Sequence, residues 1–436
     1  MSAICVAACG TAAASLPLAG NGDATAAAIQ GQGPDPLCEA DYARGRFRPA
    51  AALRFGIDPE LAGSVGTTQN NVKPVNQAKT VAALRALRPP GKELVLRVNR
   101  LFESDGEAGI KRFQRIIGDY TRAGLDTELQ VRYHPTASQT GNIAAWTRYV
   151  RHVVDVFGSN PHLVAMTITN ELNVKVSPNT SDGAYPNAEQ ALVQGIIAAH
   201  REAQRHHDRQ LKFGFTYAYR FKPSDDVALF NGLRTAGGAF RQALGFVGVD
   251  YYPAVIPGPA TPIPVATLQM LGVVRRCFMP LGDLGPKVPI WITESGYDTT
   301  AGVHTWAQQR AALVQIVVTI RGAARTFGVT DFRWFNLRDN VSKSLALYET
   351  NGLMTDTYQR KPSFAAYRTL IAQFGAARSR ASAFGVVSVA KSGRPDRVRR
   401  CRPASRRPRR AMSRRPRRRD RVPRGGSHPT RQEAGQ

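Results

Sequence analysis

Leu163-Val-Ala-Met-Thr-Ile-Thr-Asn-Glu171 is a short apolar run that stops at a glutamate, and Pro289-Ile-Trp-Ile-Thr-Glu294-Ser-Gly-Tyr297 repeats the pattern. Both runs are rich in β-branched and aromatic residues and are too short for helices, so both read as buried strands. Six more runs of this kind begin near Leu53, Leu94, Leu129, Phe213, Phe246 and Phe332. Between them lie segments of helical period. Ile110, Phe113, Ile117 and Tyr120 form one apolar face, preceded by Ser104-Asp-Gly-Glu107 in capping-box spacing. Trp146, Tyr149, Val150, Val153, Val154 and Phe157 form another, closed by Gly158, and Trp306, Leu313, Val314, Val317 and Ile320 form a third.

Strands alternating with helices imply a parallel sheet covered by helices. A doubly wound open sheet usually stops at five or six strands, and no glycine-rich phosphate loop follows the first strand here. Eight strand-and-helix units favour a closed α/β structure, the (β/α)8 TIM barrel, as a single catalytic domain over residues 51–375. In such a barrel the chemistry sits where strands end and βα loops begin. A carboxylate is expensive to bury without a partner. One glutamate ending a strand is often just a salt-bridged residue, but two such strands, three apart, would face each other across the barrel mouth.

Composition bounds the other possibilities. The 436 residues are 43% hydrophobic, ordinary for a globular chain, with a formal charge of +27. From Arg378 onward 20 Lys and Arg stand against Asp396, Asp420 and Glu433, which places +17 in the last 59 residues. The body carries a mild excess and is not a nucleic-acid-binding surface on charge grounds. The Arg/Pro-rich segment 376–436 has too few apolar residues to offset the entropy of folding. It reads as a solvated tail that activity does not need, with polyanion binding as its alternative reading. Residues 1–50 read as leader and linker. Ile4 to Ala19 resembles the apolar core and cleavage site of an export signal, though the positive start is missing. Outside it no apolar run reaches the ~18 residues of a membrane-spanning helix. Cys5, Cys9, Cys38, Cys277 and Cys401 have no metal-type spacing, and Cys38 with Cys277 is a possible disulfide.

Thr169-Asn-Glu171-Leu-Asn173 and Trp291-Ile-Thr-Glu294-Ser-Gly-Tyr297 resemble the acid/base and nucleophile strands of clan A glycoside hydrolases, the superfamily that includes cellulase-like family 5. The resemblance spans residues 51–374. Gly352-Leu-Met and Lys361-Pro-Ser-Phe-Ala-Ala-Tyr367 are similar to the clan's final loop and helix. It implies a retaining glycosidase in which Glu171 is the acid/base and Glu294 the nucleophile. It further implies that Arg97 lies beneath the nucleophile, His134 on the substrate side, and Asn170 against the sugar 2-hydroxyl. Trp334 would be the aromatic platform. Strand alternation leaves Tyr251 and Tyr252 open as the nucleophile's tyrosine, and the resemblance selects Tyr252. Asp250 and Asp339 are expected near the mouth without an assigned role. Tyr185, Tyr217, Tyr219 and Tyr297 are further candidates for sugar stacking.

The expected partner is a carbohydrate with β-type linkages, handled by an extracellular monomer without cofactor or metal. A non-catalytic glycan- or protein-binding barrel and a transglycosylase of the same fold are the competing readings.

Overall fold

The computed structural model describes residues 36–59, 73–176, 178, 180–208, 210–219, 223–254, 261–346 and 349–378. The leader before Pro36 and the basic segment after Arg378 lie outside them. Eight strands form the centre: β1 (Arg54–Ile57), β2 (Val95–Phe102), β3 (Asp126–Arg132), β4 (Leu163–Ile168), β5 (Lys212–Ala218), β6 (Phe246–Tyr251), β7 (Ile290–Ser295) and β8 (Val329–Trp334). They close in chain order into one barrel, and every neighbouring pair is parallel. The fold is therefore the TIM barrel that the eight-unit pattern requires. No helix among the described residues is long and apolar enough to cross a membrane.

Two strands begin earlier than their apolar runs suggested. Strand β3 starts at Asp126 and β8 at Val329, because polar residues such as Glu128 and Asp331 occupy buried inner positions. Outer positions meet the helices. Phe113, Ile117 and Tyr120 of the helix Gly106–Arg122 are buried there, as are Val150, Val153 and Phe157 of Ile143–Phe157. Each fully buried side chain of this kind contributes about 1.5–3 kcal/mol of transfer free energy.

The helix ends follow local chemistry in one case and depart from it in two. Thr305 and Gln308 form a capping box at the start of Trp306–Phe327, and Gly328 ends it at φ 70°, a left-handed position that glycine adopts cheaply. The box expected from Ser104 and Glu107 does not form. A 3-10 turn over Glu103–Asp105 precedes Gly106, and the Ser104 hydroxyl lies 3.2 Å from His134 Nδ1. Gly158 closes its helix at φ −63°, right-handed rather than left-handed.

Residues 36–50, linker by composition, lie against the barrel. Cys38 and Tyr42 are buried in the main core, and Gln269 bonds Tyr42 N and Ala40 O at 2.8 and 2.7 Å. Cys38 and Cys277 form a disulfide with Cα atoms 5.1 Å apart, closing a sequence separation of 239 residues. A covalent link across so long a loop chiefly restricts the unfolded chain and contributes about 2–4 kcal/mol. Cys277→Ser should lower the thermal midpoint, and adding reductant should lower wild type toward the variant while leaving the variant unchanged.

Candidate active site

The inner face of the barrel carries a chain of buried ions. Arg97 on β2 is fully buried and spans three groups: Glu128 Oε1 at 3.3 Å, Glu294 Oε1 at 3.1 Å and Asn170 Oδ1 at 3.4 Å. Below it, Arg333 on β8 donates to Glu128 Oε2 at 3.3 Å and to Asp331 Oδ1 at 2.8 Å. Burial disfavours the charge on Arg97, but Glu294, Asp250, Glu128 and Asp58 outweigh that cost and raise it above the ordinary arginine value. Arg97 therefore keeps its charge and draws the carboxylates toward it.

Glu294 owes its direction to a β-bulge. The β6–β7 register passes from Val249↔Ile292 to Asp250↔Glu294, which leaves Thr293 as an extra residue. Thr293 and Glu294 can then both turn inward, although side chains normally alternate along a strand. Thr293 Oγ1 donates to Asp250 Oδ1 at 2.7 Å, while Glu294 Oε2 accepts from the Tyr252 hydroxyl at 2.7 Å. Tyr251 points outward, is fully buried and meets Thr267 at 3.3 Å. Alternation thus separates the two tyrosines, and Tyr252 is the one at Glu294.

Glu171 is aimed by a kink after β4. Thr169 and Glu171 have φ of 69° and 44°, left-handed values that cost non-glycine residues about 1–3 kcal/mol each. Asp182, fully buried, holds the kink. Its Oδ2 accepts from the backbone N–H groups of Asn170 and Tyr133 at 2.9 Å each, and Oδ1 accepts from Arg132 Nε at 2.6 Å. Burial raises the Asp182 carboxyl to about 6, with Arg132 opposing. Asn170 is oriented by three donors to Oδ1: Gln130 Nε2 at 2.7 Å, Thr216 Oγ1 at 3.1 Å and Arg97. Its Nδ2 therefore faces Glu171 Oε2 at 3.4 Å.

Carboxylate oxygens of Glu171, Asp250 and Glu294 all lie within 4.8 Å of one another. The Glu171 carboxyl is pushed well above the usual range, first by burial and then by Asp250 and Glu294. Among the described residues it forms no ion pair, whereas Glu294 touches both Arg97 and Tyr252. The two glutamates thus sit in different surroundings, Glu294 against a cation and a phenol and Glu171 against other acids.

The remaining candidates divide. His134 sits at the rim beyond β3, with ring centroids 4.5 Å from Phe102 and 5.1 Å from Tyr185. Burial holds it below the ordinary histidine value, with Arg132 adding, so it stays neutral. Trp334 has no exposed surface, and its Nε1 donates to Asn351 O at 3.1 Å. Arg333 faces the barrel interior, so alternation turns Trp334 outward into the helix layer, where it offers no face to a sugar. The next residue, Phe335, returns to the mouth with its ring 6.0 Å from that of Tyr252. Tyr217 and Tyr219 are buried against Phe278, while Tyr185 and Tyr297 are partly exposed. Asp339 joins Lys361 Nζ at 2.7 Å and Gly352 N at 2.9 Å, a loop tie rather than a mouth acid. A Cβ on Gly352 would come within 2.2 Å of Asp339 N, so that tie needs glycine.

Asp58, at the end of β1, was not among the sequence candidates. It is fully buried and accepts from Asn99 Nδ2 at 3.2 Å. Burial raises it well above the usual range, against Arg97 and together with Glu294. Its signal was present, since Arg54-Phe-Gly-Ile-Asp58 is another strand run that stops at an acid. Glu128, Gln130 and Arg132 were legible as alternate polar residues. Asp182 had no local signal, because its partners come from β3 and the β4 kink.

No protein-family model matches this chain, and no curated protein is similar to it in sequence. Solved structures do match its fold. A GH5_18 enzyme from Bifidobacterium longum subsp. infantis superimposes with a TM-score of 0.51 at 13% identity, covering 74% of this chain and 79% of its own. A family 1 β-glucosidase from Thermotoga maritima gives 0.53 at 15% identity, covering 76% and 99%. A GH5_18 protein from Streptomyces cattleya, solved with Manβ1-4GlcNAc, gives 0.52 at 12% identity, covering 74% and 81%. What these structures share with this chain is the eight-stranded β/α barrel fold. At these identities the likeness is one of architecture.

Two outcomes follow from the buried charges. Asp182→Ala leaves Arg132 without its carboxylate and frees the kink. It should cost about 3–5 kcal/mol, measured by denaturant unfolding. Asp58, Glu171 and Asp250 are raised in the folded state, which therefore binds more protons than the unfolded chain above about pH 4. Stability should fall as pH rises above the ordinary carboxylate range of about 4. Asp58→Asn should flatten that slope in thermal melts; an unchanged slope would remove Asp58 from the account.

Proposed function

We propose that this barrel is a retaining glycoside hydrolase that cleaves β-linked oligo- or polysaccharides by double displacement. The carrying observation is the spacing of Glu171 and Glu294, whose nearest carboxylate oxygens lie within 4.8 Å. Retaining enzymes hold their carboxyl groups about 5–5.5 Å apart, whereas inverting ones need about 6.5–9.5 Å to admit a water.

Charge sets the direction of the reaction. Glu294, held by Arg97 and Tyr252, attacks the anomeric carbon and forms a glycosyl ester. Glu171, without a cation in contact among the described residues, gives its proton to the leaving oxygen and then takes one from the water that hydrolyses the ester. Asn170 Nδ2, oriented by its Oδ1 donors, supports a hydrogen bond to the sugar 2-hydroxyl. Phe335, rather than Trp334, is the aromatic group beside this pair. A β-linked substrate is supported by the structural neighbours, one named a β-glucosidase and another solved with Manβ1-4GlcNAc. The Cys38–Cys277 disulfide and the apolar leader support export to an oxidising compartment. Activity is assigned to the barrel, without a contribution from the basic segment.

Glu294→Ala should abolish hydrolysis of activated aryl β-glycosides, and azide should restore turnover as a glycosyl azide of inverted configuration. Glu171→Ala should lose about 10²–10⁴-fold on poor leaving groups and far less on activated ones. A folded Glu294→Ala protein that azide does not rescue would sink the nucleophile assignment. A panel of β-glucan, mannan, xylan and galactan, with product analysis in the presence of acceptor sugar, identifies the substrate and separates hydrolysis from transfer.

A further inference from the structure

Asp250 is a third carboxyl in a site whose chemistry needs two. It lies on β6, is 2% exposed, and its nearest oxygen is within 4.8 Å of those of both Glu171 and Glu294. Its Oδ1 accepts from Thr293, while its buried Oδ2 lacks a well-aligned donor among the described residues; the nearby Thr216 hydroxyl, with Thr293, only partly offsets its burial. An ionised carboxylate buried in this way is poorly solvated.

The groups around it come from every neighbouring strand. Arg97 approaches from β2, Asp58 from β1, Glu171 from the end of β4, the Thr216 hydroxyl from β5 and Glu294 from β7, while the outward-packed Tyr217 of β5 feels the field of Asp250. Arg97 is the cation acting on Asp250, and its guanidinium already contacts Glu128, Glu294 and Asn170; Arg132 on β3 also acts on Glu171 but is bonded to Asp182. Of the three acids at the mouth, Glu294 is the one in direct contact with Arg97 among the described residues. Among the described residues Glu171 and Asp250 then face each other without a cation in contact with either, and ionising both at once is costly.

We propose that Asp250 is a positioning residue that keeps the working proton on Glu171: the two carboxyls form one coupled pair that gives up its last proton reluctantly. The inference rests on the glycosidase reading and deepens it. Proton loss from such a pair occurs in two steps that belong to the pair rather than to either residue. The second step ends the supply of acid. Asp250 forms no bond to substrate in this scheme. It acts through its charge on Glu171, as its burial and the raised values of both groups support.

The test is the basic limb of the kcat/KM profile for an aryl β-glycoside with a poor leaving group. In Asp250→Asn, which keeps the shape and removes the charge, that limb should move down by about one pH unit or more. The same limb should be nearly absent for an activated leaving group that needs no acid. Asp250→Ser, smaller and equally neutral, should shift it likewise if the amide perturbs folding. A purely structural role would lower the rate at all pH values without moving the limb, and that result overturns the proposal.

A second readout does not depend on activity. Carboxyl-13C titration of Glu171, in wild type and in Asp250→Asn, should show the Glu171 resonance titrating at lower pH in the variant. An unchanged midpoint overturns the proposal even if the enzyme is an active glycosidase. A shifted midpoint in a protein that hydrolyses none of the panel keeps the coupled pair and rejects the glycosidase reading instead.

Discussion

Arg97 is the charge around which this barrel interior is arranged. A guanidinium with no exposed surface must be paid for by carboxylates, and here Glu128 and Glu294 contact it while Asp58 and Asp250 add their fields. Arg333 carries the pattern downward through Glu128 to Asp331, where Arg54 also bonds at 2.6 Å. Beneath this lattice the interior turns aromatic. Phe246 and Trp291 stack with centroids 3.6 Å apart, and the Arg54 guanidinium lies 4.8 Å from the Trp291 ring. The barrel is thus graded from a packed floor, through paired ions, to carboxyls at the mouth that exceed the cations in contact with them. Burial, and then that excess, raise Glu171 and Asp250.

Two departures from regular strand geometry convert the scaffold into a site. The β7 bulge lets Thr293 and Glu294 face inward together, so one reaches Asp250 and the other Arg97 and Tyr252. The left-handed residues after β4 turn Glu171 toward them. Left-handed threonine and glutamate persist because Asp182 clamps the intervening backbone N–H and is itself held by Arg132. Strain at the mouth is therefore stabilised by a buried ion pair one step removed from the chemistry.

Much of this was legible because barrel strands obey a period of two. Polar residues at alternate positions, as in Glu128, Gln130 and Arg132, announce an inner face, and an acid ending an apolar run announces the mouth. Asp58 satisfies the second rule as well as Glu171 and Glu294 do. The same periodicity assigns Trp334 outward once Arg333 is known to face inward. The expectation of a platform there failed because aromatic character does not report side-chain direction. Ser104 shows the matching limit for helix caps: its hydroxyl had a second partner, His134, distant in sequence.

The amino-acid sequence by itself determined the barrel, its eight strands and the two glutamates at strand ends, because these depend on patterns repeated within a few residues. It also determined that the charge of the last segment stands apart from the body. The tertiary structure alone decided which tyrosine meets Glu294, that Phe335 and not Trp334 returns to the mouth, and that Asp182 supports the Glu171 kink. It also brought Asp250 against both glutamates. These depend on a bulge, on backbone twist and on contacts between strands tens of residues apart. Such distances and directions are set only when the sheet closes.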